Sequence, residues 1–157
     1  MKRGWPGLLL LLCLLPMWMA MPAAMAASNH AAPVSLEGRL EHFADASGAL
    51  PFEAVSQADF VRSHFVRLPA FRSLGYGTDT HWFHVELGPQ DGNPSHRVLT
   101  IGSPELEALD VWVQRPDGSF EAHALGYHRS YEGRPLTRLS VLPLDTFPGM
   151  HLYWRVR

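Results

Sequence analysis

Gly75-Tyr76-Gly77-Thr78-Asp79-Thr80-His81-Trp82-Phe83-His84-Val85-Glu86-Leu87 is a glycine-rich turn that feeds a strand. Large apolar residues alternate there with aromatic and polar ones. Successive side chains of a strand point to opposite faces, so Phe83, Val85 and Leu87 suit a core. Trp82, His84 and Glu86 share the other face. A strand with two such faces predicts a β-sandwich that offers one side to something else. The glycines are not a dinucleotide fingerprint: the third glycine is absent, and a strand rather than a helix follows.

Upstream, residues 36–43 alternate Leu36, Gly38, Leu40 and His42 against polar neighbours, a first or edge strand. Asp45-Ala46-Ser47-Gly48 reads as a turn. Pro51 suits a helix start, and residues 52–57 have room for one or two helical turns. Residues 58–70 read as an irregular connection pinned to the core by Phe60, Phe65 and Leu68. Downstream, strands are expected at residues 97–101, 109–114, 120–125, 138–144 and 150–156. In the strand at 109–114, Leu109, Val111 and Val113 face the core, leaving Asp110, Trp112 and Gln114 together. Arg115-Pro116-Asp117-Gly118 is a turn in which Pro sets φ and Gly supplies a positive φ, making 109–125 a hairpin. Several short strands without a long helical period predict an all-β jelly-roll sandwich with a short helix near residues 52–57. The chain stops at Arg157 in or just after a strand, which predicts an unpaired sheet edge there, or a further strand in the native gene.

The first 26 residues read as a signal peptide. Lys2 and Arg3 form a positive start, residues 8–15 an apolar run, and Ala24-Met25-Ala26 a small-x-small cleavage site. Pro16 and Pro22 leave the run shorter than the roughly 20 apolar residues that span a bilayer. Leu12 before Cys13 does not make a lipobox. Residues 27–35 read as a flexible lead and 36–157 as one domain. Cys13 is the single cysteine, so the mature chain has none, as is ordinary for a bacterial periplasm. Removing Lys2 and Arg3 from 13 basic residues leaves 11 against 15 acidic ones, a formal charge of −4. With no basic run, nucleic-acid binding is not expected.

The elements also follow one another in a known order. Leu50-Pro51-Phe52-Glu53-Ala54-Val55 comes first, then residues 71–77 and the strand at 81–87. Ile101-Gly102-Ser103-Pro104-Glu105-Leu106 follows, then Leu109-Asp110-Val111-Trp112-Val113, the Asp117-Gly118 turn and Arg134-Pro135. Pro148-Gly149 stands before Leu152-Tyr153-Trp154-Arg155-Val156. Over residues 36–157 the chain resembles the second extracellular domain of the seven-transmembrane receptors with diverse intracellular signalling modules. The resemblance implies a non-catalytic periplasmic sensor domain similar to carbohydrate-binding modules. In such receptors it precedes seven membrane helices and a histidine kinase, diguanylate cyclase or phosphatase output. Against that plan, the sequence is expected to lack the domain's last strand, the membrane helices and the output module. The protein is then exported to the periplasm, tethered to the inner membrane in a full-length receptor.

Trp82 and Trp112, if their faces belong to one sheet, form an aromatic platform on which a sugar's C–H face would stack. His84, Glu86, Asp110 and Gln114 would take its hydroxyls, and Arg134 could clamp an anionic ligand. The alternative is that a loop covers both tryptophans. His81 and His84, three apart on a strand, face opposite ways and are badly placed for one metal ion. His123 and His128 have no third ligand at a fixed spacing. Calcium at Asp79, Asp91 or Asp110 is weaker than the account of solvated surface acids. Nothing fixes the separation of Glu105 and Glu107 that a glycosidase needs, and no nucleophile elbow, P-loop or HExxH motif occurs, so no enzyme, metal or cofactor is expected. The expected partners are a carbohydrate or small polar ligand, the receptor's membrane region if the chain continues, and a second copy in a homodimer. The competing class is a structural or protein-interaction module with no small ligand, using the terminal edge strand to accept a partner's strand.

Overall fold

Strands rich in β-branched and aromatic residues at half-buried positions pair where their apolar faces can be buried together. Three of them make the centre of this protein: β3 (Thr80–Glu86), β5 (Leu109–Gln114) and β8 (His151–Val156). β8 lies between the other two and pairs antiparallel with both. The register aligns Val85, Leu152 and Val113 in one row, and Phe83, Trp154 and Val111 in the next. These rows form the core face; Leu109, Val111, Val85 and Leu152 are at most 1% exposed.

The computed structural model describes residues 34–69, 78–88, 91, 95–101, 106, 108–126 and 140–157. They fall within one unit, Val34–Arg157. β1 (Glu41–Asp45) and the two-residue β2 (Val66–Arg67) extend the sheet on one side, and β6 (Phe120–Leu125) on the other. The strand order is β2-β1-β3-β8-β5-β6. A second sheet pairs β4 (Ser95–Ile101) with β7 (Ser140–Thr146). Leu142 and Leu144 of β7, with Leu99 and Ile101 of β4, close the same core from the opposite side. The fold is all-β and sandwich-like, as expected.

The hairpin turn forms as its residues require. Gly118 has φ +85° and donates its N–H to the Arg115 carbonyl at 2.9 Å. The Asp117 carboxylate accepts from the backbone N–H and hydroxyl of Ser119. The helix at Pro51 also forms: α1 (Phe52–Val55) begins directly after it.

Three expectations are corrected. The stretch expected to be irregular holds a second helix, α2 (Ala58–His64). Seven residues are too few for an amphipathic period to show, and the helix is held by packing of Phe60 on Phe43 of β1, edge to face at 5.3 Å. Accordingly Phe60 and Phe65 pin this segment to the face of the sheet opposite the core. The terminal strand is not an edge: β8 is central, because order in a sheet need not follow order in the chain. The signal peptide, the loose lead up to residue 33, the Gly75–Gly77 turn, Glu105, Glu107 and His128 lie outside the described residues. Among the described residues no helix is long and apolar enough to cross a membrane.

Candidate functional site

The period of two that sends Val85 and Leu152 to the core sends Trp82, His84, Tyr153 and Trp112 to the far face. Register lines up Trp82, Arg155 and Asp110 in one row. His84, Tyr153 and Trp112 form the next. Trp82 and Trp112 stack with centroids 5.2 Å apart and planes 29° from parallel. The guanidinium carbon of Arg155 lies 5.1 Å from one ring centroid and 5.4 Å from the other. A cation over an indole face is drawn to the ring's negative quadrupole. Arg155 donates to one Asp110 carboxylate oxygen from Nη2 at 2.7 Å and Nε at 3.2 Å, and Arg157 adds a third donor at 3.1 Å.

The helix α1 lies on this face. Phe52 stacks on Trp112 at 4.8 Å with planes 3° apart, and meets Phe120 and Tyr153 edge-on. Val55 is 0% exposed. The result is a second, aromatic core on the side of the sheet that sequence alternation marks as the outer one. Trp82 is 0% exposed, and its indole N–H has no hydrogen-bond partner among the described residues.

Beside this stack runs a chain of titratable groups. Glu41 Oε2 is 2.7 Å from His84 Nδ1, and His84 Nε2 is 3.0 Å from His151 Nδ1. A carboxylate can only accept, so Nδ1 of His84 carries the proton; its neutral Nε2 then accepts from His151 Nδ1–H. Tyr153 stacks on His84 at 4.4 Å, and Phe65 meets it edge-on. Burial pushes the His84 imidazole below its ordinary value, against the opposing pull of Glu41. Burial, and then the Glu41 charge, push the Tyr153 phenol up to about 12. On the opposite face of the same strands, His42 Nε2 is 3.0 Å from His81 Nδ1. Burial and the neighbouring His81 lower the His42 imidazole.

Six of the seven sequence-derived site residues share this face: Trp82, His84, Glu86, Asp110, Trp112 and Gln114. Arg134 lies outside the described residues. The geometry differs from an open platform, since Trp82 is sealed and Phe52 occupies the face of Trp112. Of the polar residues, one is engaged elsewhere and one is exposed. The Gln114 side-chain oxygen accepts the His151 N–H at 3.0 Å, and the Glu86 side chain points to solvent. His81 and His84 do face opposite ways. Asp91 is bound by Arg39 through two oxygens, at 2.5 and 2.8 Å, and Asp110 by Arg155 and Arg157. Among the described residues no group of three or more His, Cys, Asp or Glu could hold a metal ion.

The sequence reading missed Phe52, Glu41, His151, Tyr153 and Arg155 as members of the cluster. For the last three a signal existed: alternation along His151-Leu152-Tyr153-Trp154-Arg155 places them on one face. For Phe52 and Glu41 none did, because only the packing of α1 and the β1–β3 register bring them in.

Comparison with known proteins adds one match. The family model described as 7TMR-DISM extracellular 2 matches residues 37–157. No curated protein and no solved structure matches the chain.

Proposed function

The chain belongs to the 7TMR-DISM extracellular 2 family, a family of sensor domains of membrane receptors, and from that premise we propose that it is a non-catalytic periplasmic input domain for a carbohydrate or other small polar ligand. One observation carries the ligand reading: the Trp82–Trp112 stack lies against the charged group of Asp110, Arg155 and Arg157. Stacked indole with adjacent charged donors and acceptors is the chemistry that holds a sugar by its apolar face and its hydroxyls. Phe52 lies on Trp112 as the apolar face of a sugar ring would. Ligand binding is then an exchange, in which the sugar takes the place of Phe52 and α1 moves away. A ligand that binds only the displaced form shifts the equilibrium toward it. That shift is the signal a following membrane region, leading to a histidine kinase or diguanylate cyclase output, would read.

A tryptophan-fluorescence titration of the full chain with neutral and acidic oligosaccharides tests this. Phe52→Ala removes the competitor and should tighten binding by about tenfold, the worth of roughly 1.4 kcal/mol of displaced packing. Trp112→Ala should abolish it. Saccharide-independent fluorescence in the wild type and in Phe52→Ala alike would sink the reading.

The second reading is an interaction module without a small ligand. What favours it is the full burial of Trp82 and the fit of Phe52 on Trp112. A failed titration combined with a concentration-dependent mass in solution would select it.

A further inference from the structure

Two histidine pairs lie on the same three strands, one on each face of the sheet. On the core side, His42 of β1 meets His81 of β3 at 3.0 Å. On the helix side, His84 of β3 meets His151 of β8 at 3.0 Å. Both are diagonal cross-strand contacts beside the register partners His42↔Phe83 and His84↔Tyr153. An imidazole–imidazole hydrogen bond needs one ring to donate and the other to accept, so at least one ring must be neutral. When both are protonated, the acceptor is lost and two cations stand at hydrogen-bond distance.

We propose that these two pairs form an acid-sensitive seam, in which protonation of both His42 and His81 loosens β1, with α1 and α2 that follow it, from β3, and protonation of both His84 and His151 loosens β3 from β8.

The groups that face each pair set the balance. His84 has Glu41 from β1, Tyr153 and His151 from β8, and Glu86 from its own strand. Arg67 of β2 is the register partner of Glu41. Among the described residues, only Glu41 hydrogen-bonds to His84 as a counter-charge, and one carboxylate cannot offset two imidazolium ions. His42 faces His81 and the ring of Phe83 at 5.2 Å. The pair on the core side thus goes from neutral to doubly positive against an aromatic and aliphatic face.

The direction follows by linkage. The His42 and His84 imidazoles are lowered from their ordinary 6.5 in the folded chain. Their contribution is therefore complete above 6.5 and is lost as pH falls through the lowered folded values. β1 is the element released because the His42–His81 pair and the Glu41–His84 bond both join it to β3, whereas the contact of β5 is with the His151 backbone N–H rather than with an imidazole. The seam is independent of whether Trp112 binds a sugar.

The test is amide hydrogen exchange of the full chain at about pH 7.5 and about pH 5.5, the range in which histidine changes charge. Rates are corrected for intrinsic chemistry, and residues 41–45 are compared with residues 109–114. The expected result is a loss of protection in β1, relative to β5, of at least about threefold on acidification. The double variant His42→Gln/His151→Gln leaves one histidine in each pair and should remove that difference. A β1 that follows β5 at both pH values overturns the proposal, as does a double variant that keeps the difference. Should that variant not fold, the histidine ring signals of the wild type decide. Coupled titration within each pair supports the seam, and four independent single-step titrations overturn it. A β1 protection lost at constant pH when a chelator is added would also overturn it, because the pairs would then be holding a metal ion rather than sensing protons.

Discussion

Phe52 lies flat against Trp112, with ring centroids 4.8 Å apart and planes 3° from parallel. This contact joins a one-turn helix to the central sheet. It gives the domain two cores: one of aliphatic rows between the sheets, and one of rings and ion pairs under α1 and α2.

Phe52→Ala should lower stability by about 1–3 kcal/mol, the scale of a lost aromatic pair plus partial burial. Trp112 then meets water, so the emission maximum should move to longer wavelength. Phe52→Leu should keep most of the stability and little of the stacking. Chemical denaturation followed by fluorescence measures both.

The Asp110 carboxylate is 13% exposed and takes three donors from Arg155 and Arg157. Asp110→Ala leaves Arg155 over the tryptophans without its anion, at a cost of about 1–3 kcal/mol. Adding Arg155→Met to that variant should recover part of the loss, because an apolar side chain at such a site often equals or exceeds a buried ion pair. A double-mutant cycle in urea gives the coupling. A recovery of zero would show that the Arg155–indole contact matters more than the ion pair.

Leu152 is 1% exposed in the middle of the aliphatic core. Leu152→Ala should cost about 2–5 kcal/mol through lost transfer energy and the cavity left behind. Val98, 60% exposed on β4, is the control: Val98→Ala should stay within about 0.5 kcal/mol. Thermal melts of the two variants separate core from surface.

Acid stability below the histidine range should depend on Asp91. Its hydrogen bonds from Arg39 hold the carboxyl below its ordinary 3.8, against burial. A lowered carboxyl contributes stability that is complete above 3.8 and is lost as pH falls through the lowered value. Asp91→Asn should therefore be less stable than the wild type at neutral pH and differ from it less in strong acid. Unfolding midpoints measured across pH check the sign; a gap that widens in acid would contradict it.

Alternation alone assigned Val85, Leu87, Leu109, Val111 and Val113 to a core and Trp82, His84, Asp110 and Trp112 to the opposite face. The hairpin at Pro116-Asp117-Gly118 and the helix start at Pro51 were equally legible, since each depends on φ preferences local to a few residues. The order of elements was enough to suggest the family. What the opposite face does was not legible. Alternation tells which way a side chain points but not what lies above it.

That second question was decided by tertiary structure. α1 is too short to declare an apolar face in sequence, yet its Phe52 and Val55 turn a solvent-facing platform into a buried layer. β8 comes last in the chain and sits at the centre of the sheet, so His151 and Arg155 hydrogen-bond to partners 37 to 67 residues away and Tyr153 stacks on His84 of β3. Local sequence fixes dihedral angles and the faces of strands because those depend on neighbours one to four residues apart. Contacts across the sheet depend on strand order and register, which are set by the burial of the whole core at once.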